Sequence, residues 1–118
     1  MKGDDLAVRL LDFGVGTVRL CAGLPRDPAG NLVARQLLRC GTAGGANYEE
    51  ARGAESRADF VHKLGVALKE VREALYWLKL VDRAEMVSGE GVRGWIHEAD
   101  ELVAILTASV RTAKAGSV

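Results

Sequence analysis

Few side chains in this 118-residue chain are of types that do chemistry. Asp59 and His62 are three residues apart, the carboxylate-x-x-His spacing of di-metal helix bundles. Such a centre needs two of these elements and a glutamate from each of two further helices. The other histidine, His97, has Gly94 where the second carboxylate should stand, so the ligand count excludes a di-metal site. Cys21 and Cys40 are the only cysteines. Both fall inside predicted helices, Cys40 on an apolar seam with no histidine in its own helix, and the reading is two buried thiols in a cytoplasmic protein. Gly41-x-x-Gly44-Gly45 follows a helix rather than a strand, which makes it a poor phosphate loop. No catalytic, cofactor-binding or metal-binding residue is assigned, and no cofactor or small-molecule substrate is expected.

The polar residues of one glycine-rich stretch carry more information. Arg39 and Glu50 are eleven residues apart, close to three helical turns, and share a face. Asn47 holds a seam position, where an unpartnered amide costs about 1–3 kcal/mol. Glu70 and Glu73 lie one turn apart on a later helix, within reach of an arginine. Two readings fit: a satisfied polar layer that fixes helix register, or a ligand site. The layer reading predicts that Arg39, Asn47 and Glu50 are at least partly buried and bonded to that later helix.

Four helices must position these groups. The first, about residues 4–23, opens with Asp4 and Asp5 at the positive end of its dipole. Leu6, Leu10, Phe13, Thr17, Leu20 and Leu24 form one seam; Val8, Leu11, Val15, Val18 and Ala22 form another, roughly 200° away. One small bundle cannot bury both, so the helix is either central or meets another subunit. Asp27 and Pro28 start the second helix, about 28–52. Its seam of Val33, Leu37, Cys40, Gly44, Asn47 and Ala51 runs through the glycines, which lets a neighbour approach closely; two short helices around a glycine hinge are the alternative. The third helix, about 57–81, has the clearest seam, Val61, Leu64, Leu68, Val71, Leu75 and Leu78. Tyr76, Trp77 and Leu80 fall outside it and form an outer patch. Glycines 89, 91 and 94 place a turn over Asp82–Gly94, and the fourth helix, about 90–113, is secure from Trp95 to Ala113, with a frayed tail after it.

The chain is therefore read as a single-domain, all-α, antiparallel up-down-up-down four-helix bundle. Sixteen basic and sixteen acidic residues balance, so no global field draws it to nucleic acid. The acidic start is not a signal peptide, and no apolar run is long enough to span a bilayer. Arg26, Arg35, Arg39, Arg52, Arg57, Lys63, Lys69 and Arg72 make the middle of the chain locally cationic, with carboxylates interleaved.

Four blocks resemble the four-helix bundle proteins often called 23S ribosomal RNA intervening-sequence proteins. They are Gln36–Ala51, Phe60–Glu70, Glu73–Leu78 and His97–Leu102. The first, with its arginine, Ala-Asn and following Tyr48 and glutamate, is the most specific; Tyr48 joins the polar-layer candidates there. Cys40 departs from a common serine, and Ala43 from serine or another small residue. The resemblance implies a left-handed bundle that forms a homopentamer and is not an enzyme. A related branch accompanies reverse transcriptases of diversity-generating retroelements and binds nucleic acid and the polymerase. That branch is strongly basic, whereas this chain is neutral. The expected role is an oligomeric scaffold or adaptor, and the alternative is an accessory protein acting with RNA, DNA or a reverse transcriptase. The expected subunit contacts are Val8, Leu11, Val15, Val18, Tyr76, Trp77 and Leu80.

Overall fold

The computed structural model describes residues 3–116; Met1, Lys2 and the last two residues of the expected frayed tail lie outside them. Four helices account for nearly all of it: α1 (Asp4–Ala22), α2 (Pro28–Arg52), α3 (Arg57–Arg83) and α4 (Gly89–Lys114). No strand occurs among the described residues. The helices pack side by side into a rod of 48 × 21 × 21 Å, one helix length long.

Local chemistry sets the boundaries. The Asp27 carboxylate accepts the Gly30 N–H at 2.8 Å and Pro28 opens α2. Gly30 must be glycine, because a β-carbon there would lie 1.8 Å from the Pro25 carbonyl oxygen. Ser56 caps α3 by accepting the Asp59 N–H at 3.0 Å. α3 runs two residues past the expected 81, and no glycine marks its end. Glu85 takes the left-handed conformation instead, with φ 54°, and the Met86 N–H reaches back to the Val81 carbonyl at 3.1 Å.

The expected turn over Asp82–Gly94 is shorter than its glycines suggested. The break spans only residues 84–88, and Gly91 and Gly94 are helical. A β-carbon at either would meet nothing within 4 Å, so these glycines lower helix propensity without breaking the helix. Tertiary packing overrides them, because Val92 between them is fully buried.

The core is a column of Leu10, Phe13, Leu37, Leu64, Val71, Leu78, Leu102 and Leu106. It follows the seams read from the sequence, with Leu6 and Leu20 packed at its edge. Glycines bring the helices together. A β-carbon at Gly41 would stand 2.5 Å from Thr17 Oγ1, and one at Gly44 would stand 2.6 Å from Val71 Cγ2. Gly14 faces Gly41 from α1. The stretch is thus one continuous helix that takes α1 on one side and α3 on the other.

The α1–α4 seam is built differently. Trp95 wedges against Gly16, where a β-carbon would fall 2.2 Å from the indole, and meets Phe13 edge-on at 6.0 Å between ring centroids. Outside this wedge, Arg9 forks onto Glu98 at 3.0 and 2.7 Å and onto Glu101 at 2.9 Å. No sequence pattern singled out Arg9; its partners form an i, i+3 carboxylate pair, the signal that would have found it.

Two helical glycines make a paired prediction. Gly41→Ala gains helix propensity but forces the methyl into Thr17, so it should lose about 1–3 kcal/mol. Gly65 faces open space, and Gly65→Ala should gain about 0.5–1 kcal/mol. Thermal melts of both variants check this, and a gain at Gly41 would show that α1 and α2 are not in close contact.

Candidate functional site

The polar candidates of α2 lie along its contact with α3. Arg39 extends from the end of a buried turn and bridges to α3. Its Nη1 donates to Glu70 at 3.1 Å and its Nη2 to Glu73 at 2.5 Å, while Gln36 accepts a third bond at 3.1 Å. The Trp77 indole N–H donates to the same Glu73 carboxylate at 3.1 Å. Arg39 and Trp77 hold the Glu73 carboxyl below the usual carboxylate range, and the Glu73 hydrogen bond raises the Arg39 guanidinium. About three turns on, Lys63 of α3 donates to Glu50 at 2.7 Å.

These groups do not form the buried layer expected of them. Arg39 is 51% exposed and Glu50 is exposed as well. Asn47 is half-buried but does not bond α3; its Nδ2 donates to the Ala43 carbonyl at 2.9 Å, one turn back in its own helix. An amide at a seam position can satisfy itself on its own backbone, which the spacing argument overlooked. Tyr48 is buried; its hydroxyl donates to the Gly3 carbonyl at 3.4 Å, and burial raises its pKa. Arg52 beside it pairs with Asp4, tying the end of α2 to the start of α1.

The arrangement offers clamps rather than reactive groups. Burial pushes the Cys40 thiol up to about 12 and the Cys21 thiol up to about 11, so neither is a thiolate at neutral pH. Both are free and lean on backbone carbonyls, of Leu37 and Ala34 respectively. His62 is exposed, and His97 pairs with Glu101 at 2.8 Å. No group of three or more metal-ligating side chains gathers among the described residues.

The apolar candidates divide. Val8, Leu11, Val15 and Val18 are 56, 66, 42 and 47% exposed, a bare crest along about three turns of α1. With Gly14, Thr42, Gly45 and Ala46 they line a groove of about 920 Å³ between α1 and α2. Tyr76 is 57% exposed, but Trp77 and Leu80 are half-buried against the core. The outer patch expected of these three is reduced to Tyr76, because the bundle core is wide enough at that end to take the other two.

The fold and its clamps define a class, an all-α four-helix bundle protein. Within that class, residues 9–108 match the model of the 23S rRNA-intervening sequence protein family, and the chain belongs to this family. It is also similar to the crystal structure of a protein of unknown function from the S23 ribosomal protein family of Bacteroides thetaiotaomicron VPI-5482. The two share 36% identity and a TM-score of 0.81, over 88% of this chain and 96% of that one. A comparison with curated proteins finds no match. No helix among the described residues is long and apolar enough to cross a membrane.

The Glu73 cluster makes a pH prediction. A carboxyl with a depressed folded pKa stabilises fully above its unfolded value, about 4.3, and loses that contribution as pH falls through the folded value. Glu73→Gln should therefore lower the melting temperature near pH 7, and the gap to the parent protein should close on acidification below pH 4. A gap of the same size at pH 3 would mean that the carboxylate charge is not what Arg39 and Trp77 hold.

Proposed function

We propose that the protein is a non-enzymatic oligomeric scaffold or adaptor whose subunits meet through the outer crest of α1 and the adjoining groove. The exposed row Val8, Leu11, Val15 and Val18 carries this reading. It is continuous, it lies beside Gly14, Gly45 and Ala46, and no other element covers it among the described residues. A contiguous apolar surface of this kind on a small domain marks an interaction site. Each such side chain contributes about 1.5–3 kcal/mol when buried, so a repeated contact can exceed the cost of association. A crest seated on a different face of its neighbour is a heterologous contact, which closes into a ring when the rotation allows.

The assembly proposed is the homopentamer that the family resemblance implies, built from antiparallel, left-handed bundles and acting in the cytoplasm. Tyr76 remains a peripheral candidate contact, whereas Trp77 and Leu80 serve the subunit's own core.

Light scattering on the purified chain tests the reading. The mass should be several times the 12.6 kDa of one chain, five times for the pentamer. Leu11→Glu with Val15→Glu should reduce it to 12.6 kDa while helix content is retained. A monomer at micromolar concentration in the parent protein would contradict the proposal.

A further inference from the structure

The ion pairs of this bundle sort its charges by face. On α3, Glu70 and Glu73 are both taken by Arg39 from α2, and Asp82 is taken by Arg93 from α4. Lys63 is likewise taken by Glu50 of α2, and the cations of α3 from Lys69 onward are left without such partners. His62, Lys69, Arg72, Tyr76, Lys79 and Arg83 form one stripe, spaced 7-3-4-3-4, and all six are exposed. The missing step in the spacing is Gly65. Asp59 stands one step before His62; from His62 onward the stripe contains no carboxylate, and Lys69, Arg72, Lys79 and Arg83 have no ion pair or hydrogen bond among the described residues. It runs about 32 Å along the rod.

The first half of the stripe borders a groove between α3 and α4 of about 880 Å³. Val61, Leu68 and Val110 give it apolar lining, Gly65 leaves a notch, and Lys69 and Lys114 stand at its edge without any lining acid. Farther along, Tyr76 is held edge-on against Trp77 at 5.0 Å between ring centroids. Trp77 is in turn fixed by Glu73 and so by Arg39. The one exposed ring in a row of four free cations is therefore braced.

The geometry points to this α3–α4 face as a binding surface for single-stranded nucleic acid, with phosphates along the cations and bases against Tyr76 and the groove. The ligand must be anionic at repeated intervals and must also present flat apolar faces. A single strand does both, because its unpaired bases are free to stack on an aromatic ring. A duplex offers only its phosphates to a straight row of cations. An acidic helix would pair the cations but leave the braced ring and the notch unused. The chain's neutrality is no obstacle, since attraction at this range is set by the local face and not by the sum. The face is separate from the α1 crest, as α1 and α3 make no close backbone approach.

The test is fluorescence anisotropy of the full chain with a labelled 20-nucleotide single-stranded RNA of mixed sequence, at low and moderate salt. Lys69→Glu with Arg72→Glu, and separately Lys79→Glu with Arg83→Glu, should each weaken binding about tenfold or more and flatten the salt dependence. Tyr76→Ala should weaken it about tenfold with the salt slope unchanged. Arg35→Glu, on α2, should change it less than twofold. Light scattering and helix content on each variant separate this result from a change in assembly or folding. No binding at low salt would overturn the proposal. So would an Arg35→Glu loss equal to the double reversals, an unaffected Tyr76→Ala, or equal affinity for poly-glutamate.

Discussion

Close approach across the glycine face of α2 is the constraint on which the other features depend. Gly41 admits Thr17 and Gly44 admits Val71, so α1 and α3 both press against α2 at points where it carries no side chain. This proximity favours dispersion and backbone complementarity over the interlocking of large side chains. It also decides where the surplus goes. With the small residues Gly45 and Ala46 beside α1, and Glu49 and Arg52 farther along the same groove, Val8, Leu11, Val15 and Val18 stay exposed. The second seam of α1 stays bare because the first is packed so tightly.

The polar network follows from the same geometry. Helices that touch through glycine leave their flanking side chains free to meet at the rim, and there Arg39 collects two glutamates of α3. These are exposed or half-exposed pairs, worth little individually, but the doubly engaged arginine and the indole on Glu73 fix register along one rim. The α1–α4 side, which lacks a glycine face on both partners, uses a wedge and a fork instead: Trp95 on Gly16, and Arg9 on two carboxylates. Pairing across helices, rather than within α3, is what separates that helix's cations from its carboxylates.

Much of this was legible in the sequence because heptad-like spacing and caps are local signals. The seams of α1 and α3, the Asp27-Pro28 start and the continuity of α2 through its glycines could all be read that way. The α4 start was read at about residue 90, next to the observed Gly89, but as secure only from Trp95, because glycine is weighed as a breaker from its propensity, whereas the burial of Val92 is a tertiary fact. Asn47 was assigned across the interface when it bonds within its own helix, since spacing fixes a face and not a partner. Trp77 and Leu80 were placed outside because a seam drawn as a line has no width. Arg9, whose partners are some ninety residues away in the chain, had no local signal at all.

The central claim is that the α1 crest is covered by another copy of the chain. The native thiols, buried and with raised pKa values, leave a single introduced cysteine as the only ready target for a maleimide. With Val15→Cys the account predicts slow labelling at high protein concentration and rapid labelling once dilution or Leu11→Glu breaks the assembly. Rapid labelling at every concentration, in a protein whose mass is that of an oligomer, would contradict it.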